Sequence, residues 1–131
     1  MIIGIGIDIV NIKRIDKIIN KYGNKFKLRW FSKNEINFSD KKIRPASSYA
    51  KRFAAKEACA KALGIGLADG IFWKDITLNN DIYGKPFIKL YGKASKKLKE
   101  LNSKPCQIEV SLSDEKNYAI ANIIIHNKNE I

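Results

Sequence analysis

Histidine and cysteine are scarce in this sequence of 131 residues, which has one histidine and two cysteines. The histidine, His126, lies near the C-terminus, so a Ser-His-Asp or Cys-His catalytic apparatus would depend on one badly placed residue. The cysteines, Cys59 and Cys106, are far apart and form no CxxC or Cys/His ligand pattern, so we expect reduced, structural thiols. These absences disfavour catalysis through a histidine or a cysteine.

Long apolar runs are also absent, and no stretch approaches the length that crosses a membrane. The N-terminus MIIGIGIDIV lacks a basic leader and carries Asp8 within its apolar run, which indicates a strand and not a secretion signal. The apolar and charged fractions, 45% and 29%, are typical of a soluble globular protein. We therefore expect a cytoplasmic protein with no membrane partner, folded as a single domain over residues 1–131.

Acidic residues are few, since 13 Asp and Glu stand against 25 Lys and Arg, for a formal net charge of +12. This excess predicts attraction to polyanions, which include nucleic acids, phosphorylated small molecules and acidic proteins. Lysine, isoleucine and asparagine are abundant throughout, as in chains encoded by AT-rich genomes, which reduces the weight of the basic signal. Charge alone does not choose among the three kinds of partner.

The order of the predicted elements indicates an α+β fold. Hydrophobic periodicity and turn residues predict, in chain order, a strand at 2–10, a helix at 11–22, a short helix opened by the capping box Ser32–Glu35, a long helix at about 46–63, a hairpin of strands 71–79 and 87–91, a helix at 94–101, and strands 107–112 and 118–125. We expect Ser47 or Ser48 to cap the long helix. Together these elements predict a mainly antiparallel sheet packed against a long central helix.

The first strand has one face with few side chains. Its isoleucines alternate with Gly4, Gly6 and Asp8, so the isoleucines point to one side and the glycines and the aspartate to the other. A face that is bare at two glycines accepts a closely packed helix or a ligand, and Asp8 would then be a carboxylate held at a partly buried site. Local sequence equally allows Asp8 to cap the helix that follows.

The long helix contains the segment RFAAKEACAKALGIG at 52–66, which combines small residues with an aligned pair of opposite charges. Phe53, Glu57 and Lys61 share one side of the helix at i, i+4 and i+8, next to an arc of alanines. The arc lets a neighbouring element come very close, and Gly64 provides a stop at the C-terminal end. We therefore expect this helix to pack tightly on another element while presenting a carboxylate and an ammonium group at its edge.

Asp8 and Glu57 can converge if the glycine face of the first strand packs on the alanine arc of the helix. Magnesium takes one or two carboxylates together with water and substrate phosphates, and Lys61, one turn beyond Glu57, would meet a phosphate oxygen. The pattern is thus compatible with a metal and phosphate site. On spacing alone the alternative is an ordinary surface pair of Glu57 with Lys61, worth only about 0.2–0.5 kcal/mol.

The predicted helix at 11–22 is amphipathic and has a strongly basic face. The basic residues on this face are Lys13, Arg14, Lys17 and Lys21. Such a face is usually exposed to solvent without a binding role, and the alternative is that it forms a docking surface for an acidic partner.

Five segments of the sequence match a known family in their order. They are GIGIDIV at 4–10 with Arg14 and Ile15, RFAAKEACAKALGIG at 52–66, residues 73–76, residues 80–86, and VSLS at 110–113. Over nearly its whole length the chain resembles the holo-[acyl-carrier-protein] synthase family, whose members are phosphopantetheinyl transferases. The resemblance implies an enzyme that transfers the 4'-phosphopantetheine group from coenzyme A to a serine of apo-acyl carrier protein, depends on magnesium, releases adenosine 3',5'-bisphosphate and supports fatty acid biosynthesis.

The resemblance also implies roles for individual residues. Asp8 and Glu57 would bind magnesium, and Lys61 would balance the charge that builds on the leaving phosphate. The candidates to hold the nucleotide of coenzyme A are Arg44, Arg52, Asn80, Gly84, Lys85 and Pro86. The candidates to bind the acyl carrier protein are Lys13, Arg14, Lys17 and Lys21. Family members are trimers with the coenzyme A site at a subunit interface, so we expect a homotrimer whose nucleotide residues come from one subunit or from two.

The chain departs from the family pattern at three positions. Family members often carry Glu where this chain has Asn11, and histidine where it has Glu109 and Asp114. A histidine base is therefore absent. Asp114, Glu115 or a water held by a carboxylate would have to deprotonate the acceptor serine.

A non-catalytic basic module that binds RNA is the alternative function. It is motivated by the net charge of +12 and by the aromatic residues Trp30, Phe31 and Trp73. Their rings would have to be exposed in order to stack on bases, and the affinity would fall steeply with salt. The family resemblance instead implies no nucleic-acid partner.

Overall fold

The computed structural model describes residues 1–65 and 73–128. Its helices are α1 (Ile12–Tyr22), α2 (Asn24–Trp30), α3 (Lys33–Asp40), α4 (Pro45–Leu63) and α5 (Gly92–Leu101), and a 3₁₀ turn spans Trp73–Asp75. Its strands are β1 (Ile2–Asn11), β2 (Ile76–Asn80), β3 (Pro86–Leu90), β4 (Cys106–Asp114) and β5 (Tyr118–Asn127). The predicted α+β fold is confirmed. None of the described helices has the length and apolar character needed to cross a membrane.

All strand pairing in the described residues is antiparallel, and it forms two separate sheets. The first has three strands in the order β1-β5-β4, and the second is the β2–β3 hairpin. Helix α4 packs mainly on β1 and β5, whereas β2 of the hairpin contacts α3 and α4, and β3 contacts β4. The long helix therefore contacts both sheets, which also meet each other at β3 and β4.

Strand β1 approaches α4 closely because two of its residues have no side chain. A Cβ atom at Gly4 would overlap the carbonyl oxygen of Ala62, and one at Gly6 would overlap that of Ala58. Since these obstacles are backbone atoms of a helix, neither can move aside cheaply. The expected packing of the glycine face on the alanine arc is thus present, and it determines which side of β1 faces the helix.

The isoleucine face of β1 consequently points away from α4 and is uncovered in the chain. Ile5, Ile7 and Ile9 are 62%, 59% and 59% exposed. On the neighbouring strand, Ile124 lies opposite Ile5 and Ile120 lies opposite Ile9. These five isoleucines form an apolar patch on the outer face of the sheet, and we call it the isoleucine patch.

The prediction that Ser47 or Ser48 caps α4 was wrong. The helix begins at Pro45, because proline is preorganised for the first helical position, so Arg44 stands at the N-cap without a side-chain cap bond and both serines lie inside the helix. Ser47 instead donates a hydrogen bond to Oδ2 of Asp114 (3.0 Å), and the hydroxyl of Ser48 lies 2.8 Å from that of Ser39. Both serines therefore connect α4 to its neighbours.

Two other segments differ from the prediction. Residues 24–30 form the helix α2, which we did not predict because seven residues are too few to show a clear helical period. Residues 73–75 form a 3₁₀ turn and not the start of the predicted strand 71–79, whose first two residues lie outside the described ones. The predicted capping box of Ser32 and Glu35 is present with both of its hydrogen bonds.

Candidate active site

The close approach of β1 to α4 brings Asp8 and Lys61 together. The Nζ atom of Lys61 donates to the backbone carbonyl oxygen of Ile7 at 3.0 Å and lies 3.3 Å from Oδ1 of Asp8. The side chain of Asp8 is 17% exposed and that of Lys61 is 56% exposed. A carboxylate on the sheet and an ammonium group on the helix therefore meet at the edge of the interface, where solvent and substrate can reach them.

Glu57 belongs to the same cluster and lies one turn before Lys61 on α4. Partial burial raises the pKa of Glu57, and the negative charge of Asp8 raises it further. The positive charges of Lys61 and Arg14 oppose this shift and lower the pKa. The structure thus places Asp8 and Glu57 close enough to repel each other, with two cations beside them.

These residues fit a magnesium ion that also binds a substrate. A bound divalent cation would remove the repulsion between Asp8 and Glu57. Among the described residues no group of three or more histidine, cysteine, aspartate or glutamate side chains forms a complete metal cage. Two carboxylates are nevertheless what magnesium takes when water and phosphate oxygens supply its remaining ligands.

Three of the predicted nucleotide residues meet on another side of α4. The Nη2 atom of Arg52 donates to Oδ1 of Asn80 (2.8 Å), and Nδ2 of Asn80 donates to the carbonyl oxygen of Gly84 (3.0 Å). The turn that carries Gly84 is shaped by Asp81, whose Oδ1 accepts from the backbone N–H groups of Tyr83 and Lys85 at 2.9 Å each. Pro86 follows as the first residue of β3, opposite Asn80. Of these residues, Arg52, Asn80, Asp81 and Gly84 border a cleft of about 520 Å³ between α3 and the hairpin.

Arg44 is not brought to this cleft within the chain. It precedes α4, and its Nη2 atom donates to the carbonyl oxygen of Lys116 at 3.2 Å. It lines a second groove of about 530 Å³ together with Lys13 and Tyr49. Arg52 and Glu57 are also apart, because five positions on a helix correspond to roughly 140° of rotation. The predicted nucleotide residues and the carboxylates therefore face different directions in one chain.

The basic residues predicted to bind a carrier protein all lie on the exposed side of α1. They are Lys13, Arg14, Lys17 and Lys21. Arg14 is the one that also influences Glu57. Asn11 acts as the N-cap of α1, because its Oδ1 accepts from the backbone N–H of Lys13 at 2.9 Å. The basic surface therefore begins beside the carboxylates.

The acidic residues at the family's histidine positions are both paired. Asp114 accepts from Ser47 and lies 3.3 Å from Nζ of Lys51. Since Ser47 precedes Glu57 by ten residues, Asp114 lies about 15 Å from Glu57 along the helix axis. Glu109 lies 3.1 Å from Nε2 of His126 on the outer face of the sheet. The chain itself therefore does not bring Asp114 into the Asp8–Glu57 cluster.

A fully buried ion pair between α3 and α4 was not predicted from the sequence. Lys56 and Glu35 have no exposed side-chain surface, and their Nζ and Oε1 atoms are 2.9 Å apart. Burial lowers the pKa of Lys56, and the charge of Glu35 opposes that shift. Lys56 also donates to the carbonyl oxygens of Trp73 (3.0 Å) and Ile76, so it connects α4 to the hairpin. The sequence signal was faint: Lys56 follows Arg52 at i+4, on a side of the helix away from Lys61.

The aromatic residues considered for RNA stacking are largely packed against other side chains within the fold. Phe31 is 1% exposed. The rings of Trp30 and Trp73 stack on each other, with centroids 4.4 Å apart and planes at 10°, and the ring of Phe53 lies 4.4 Å from that of Trp30. Rings that pack on one another do not present free faces to bases, which argues against the RNA-binding alternative.

Comparison with known proteins agrees with this fold. Residues 4–123 match the model of the 4'-phosphopantetheinyl transferase superfamily. The chain is 46% identical over 127 residues to the holo-[acyl-carrier-protein] synthase of Phenylobacterium zucineum (95% of this chain, 92% of that protein) and 43% identical over 127 residues to that of Brucella ovis (95% of each). Among solved structures, the holo-[acyl-carrier-protein] synthase from Neisseria meningitidis superposes with a TM-score of 0.83 at 36% identity and covers 97% of this chain and 100% of its own. The Helicobacter pylori synthase in complex with coenzyme A has a TM-score of 0.79 at 34% identity, with 93% and 99% covered.

The matched fold and the family model define a group-transfer enzyme. The chain belongs to the 4'-phosphopantetheinyl transferase superfamily and, within it, to the holo-[acyl-carrier-protein] synthases. The resemblance recognised in the sequence is thereby confirmed. The roles of individual residues remain predictions.

Proposed function

We propose that this enzyme transfers the 4'-phosphopantetheine group of coenzyme A to a serine of apo-acyl carrier protein, releases adenosine 3',5'-bisphosphate, depends on magnesium and supports fatty acid biosynthesis. The observation that carries the proposal is the cluster of Asp8, Glu57 and Lys61. Lys61 lies 3.3 Å from Asp8, and the charge of Asp8 raises the pKa of Glu57. The coenzyme A bound to the Helicobacter pylori synthase supports the choice of donor.

Each residue of the cluster has its own proposed role in the reaction. Asp8 and Glu57 would hold magnesium, whose chemistry there is to neutralise charge on the pyrophosphate oxygens. Lys61 has a compact charge on a flexible stem, anchored by the carbonyl oxygen of Ile7. From that position it donates to a phosphate oxygen of the leaving group, where negative charge builds during transfer.

The proposed reaction is tested by mass spectrometry. Incubation of the protein with coenzyme A, magnesium and an apo-acyl carrier protein is expected to add one phosphopantetheine group to the carrier. A carrier variant with alanine in place of the acceptor serine should gain no mass. If the carrier gains no mass under conditions in which an established synthase modifies it, the proposed reaction is wrong.

We further propose that the protein is a homotrimer with its active site at the subunit interface. The isoleucine patch leaves three side chains of β1 around 60% exposed, which is costly unless another surface covers them. The nucleotide residues and the carboxylates face different directions in one chain, and two chains that meet could combine them. The isoleucine patch supports burial between copies, and the number three comes from the family.

Light scattering coupled to size exclusion tests the assembly. The wild type is expected at three times the chain mass, and Ile7→Asp is expected to dissociate it, because each interface would then bury an unpaired carboxylate. Lys96→Asp on exposed α5 introduces the same carboxylate elsewhere and should leave the trimer intact. A monomeric wild type, or a trimer that survives Ile7→Asp, would contradict this arrangement.

The basic face of α1 is proposed to bind the acidic carrier protein. Its lysines are exposed, and the face begins beside Glu57, where the acceptor serine must arrive. Lys17→Glu is expected to raise the KM for the carrier about tenfold and to leave the KM for coenzyme A unchanged, since complementary charge steers association. Steady-state kinetics at low and high salt measure this, with Lys96→Glu on α5 as the matched control. Equal effects of the two variants would assign the change to net charge and not to a docking face.

A further inference from the structure

Strand β2 has one edge that no other strand of the described residues covers, because its sheet contains only β2 and β3. Two backbone hydrogen bonds show which edge this is. The N–H of Tyr91 donates to the carbonyl oxygen of Asp75 (2.8 Å) before β2 begins, and the N–H of Asp81 donates to that of Lys85 (2.9 Å) just after it ends. Since antiparallel bonding alternates along a strand, the even-numbered residues in between direct their backbone groups to the uncovered edge.

The even-numbered residues Ile76 and Leu78 are buried, with 0% and 1% of their surface exposed. Water therefore cannot serve as the partner of their backbone groups. A buried backbone N–H or carbonyl group without a hydrogen bond is costly, and a neighbouring strand normally provides the bond. At this edge of β2 the partners have to be side chains.

The buried pair of Glu35 and Lys56 supplies both kinds of partner. Oε2 of Glu35 accepts from the backbone N–H of Leu78 at 3.3 Å, and Nζ of Lys56 donates to the carbonyl oxygen of Ile76. The same ammonium group donates to the carbonyl oxygen of Trp73 at 3.0 Å. A carboxylate and an ammonium group thus take the places of the acceptor and the donor that a third strand would present to β2.

Two apolar side chains could fill the same space, but they could not form these bonds. Replacing a buried ion pair by hydrophobic residues of similar volume is often neutral or stabilising, so stability alone does not account for two fully buried charges. Hydrogen bonds add direction, because they fix the position of a backbone donor and a backbone acceptor at the same time. The pair therefore determines where β2 lies relative to α3 and α4.

The position of β2 matters because the hairpin carries residues that are proposed to bind the nucleotide of coenzyme A. Asn80 lies two residues after Leu78 on β2, and its side chain donates to the carbonyl oxygen of Gly84 in the turn. Asn80 also accepts from Arg52, which precedes Lys56 by about one turn of α4. Polar contacts thus attach β2 to α4 at two points, and a shift of β2 would move the turn with it.

We propose that Glu35 and Lys56 are positioning residues for coenzyme A, because they hold β2 in the orientation that allows Asn80 and Gly84 to bind the nucleotide. The inference rests on the proposed function, in which those two hairpin residues contact coenzyme A. Neither member of the pair touches a substrate itself, since neither side chain has any exposed surface. Loss of the pair weakens the binding of coenzyme A and leaves the chemistry at the candidate active site unchanged.

Steady-state kinetics of the double variant Glu35→Gln with Lys56→Met test this role. The variant leaves no buried charge unpaired, but it has no donor for the carbonyl oxygen of Ile76. We expect its KM for coenzyme A to rise about tenfold, with kcat and the KM for the carrier protein within about twofold of the wild type. Ile125→Ala controls for a general loss of stability, because Ile125 is buried in the three-stranded sheet and its truncation leaves a cavity. An unchanged KM for coenzyme A in the double variant, or the same rise in Ile125→Ala, would overturn the inference.

Hydrogen exchange reports on β2 directly. The amide of Leu78, whose acceptor is Glu35, is expected to exchange at least about tenfold faster in the double variant, whereas the amide of Ile123 in β5 should keep its rate. In the wild type, coenzyme A is expected to slow the exchange at Leu78, because a ligand that requires the held hairpin also stabilises it. This second measurement decides the question if the double variant does not fold. A rate at Leu78 that coenzyme A leaves unchanged would count against the positioning role.

Binding without the carrier protein separates this inference from the proposed reaction. Calorimetry is expected to show that coenzyme A binds about tenfold more weakly to the double variant than to the wild type. Equal affinities would overturn the inference even if the wild type modifies the carrier. Weaker binding by the double variant, in a protein that transfers nothing, would support the positioning role and reject the proposed reaction.

Discussion

Glu57→Gln is expected to reduce kcat/KM for phosphopantetheine transfer by at least about 10³, which corresponds to about 4 kcal/mol of lost transition-state stabilisation. The substitution keeps the size of the side chain and removes the charge that would hold magnesium with Asp8. Because partial burial and Asp8 both disfavour the charged form of Glu57, we expect the neutral variant to fold as well as the wild type. Kinetics over a magnesium titration, together with thermal unfolding, measure both effects.

The thermal data also report on the metal without any catalysis. Magnesium with coenzyme A is expected to raise the unfolding temperature of the wild type more than coenzyme A alone does, and this increment should vanish in Glu57→Gln. Glu100→Gln on exposed α5 removes the same charge away from the cluster and should behave as the wild type. Magnesium-dependent activity that persists in Glu57→Gln would show that the ligand assignment is wrong.

Lys56→Met is expected to lower the free energy of unfolding by about 3–5 kcal/mol, because it leaves the buried carboxylate of Glu35 without its counter-charge. Glu35 would keep its hydrogen bonds from the backbone N–H groups of Ser32 and Leu78, but these do not neutralise it. Urea unfolding measures the loss. Lys96→Met, an exposed lysine on α5, should change the stability by no more than about 0.5 kcal/mol.

A double variant separates the cost of an unpaired charge from the loss of packing. Glu35→Gln combined with Lys56→Met removes both charges and keeps an oxygen that can accept from Ser32. We expect the double variant to be more stable than Lys56→Met alone, since no buried charge remains unpaired. If adding Glu35→Gln to Lys56→Met instead lowers the free energy of unfolding further, an unpaired buried charge would not be the cause of the destabilisation by Lys56→Met.

The core of the site could be inferred from the sequence because it depends on local periodicity. Alternation in β1 places Gly4, Gly6 and Asp8 on one face, and helical spacing in α4 places Glu57 and Lys61 beside the alanine arc. Two surfaces that both lack bulk can fill their interface only by packing on each other. The contact between Lys61 and Asp8, 53 residues apart, follows from that single packing step.

The surroundings of the site could not be inferred in the same way. The bond from Arg52 to Asn80 and the ion pair of Lys56 with Glu35 depend on where α3 and the hairpin pack around α4, which no local pattern encodes. For the same reason Arg44 was grouped with Arg52 from the motifs, whereas the structure directs it to a different groove. Asp114 likewise follows the matched VSLS segment and yet lies beside the first turns of α4.

The sequence by itself determined the α+β fold, the family, and the three charged residues of the candidate active site, Asp8, Glu57 and Lys61. Alternation, helical spacing and long motifs are local features, so they can be recognised without the tertiary structure. Only the tertiary structure decided that the isoleucines of β1 remain exposed, that a lysine and a glutamate are buried together, and that the buried Arg52 lines a cleft. These features depend on the rotation of α4 against both sheets, and that rotation follows from the packing of the whole chain.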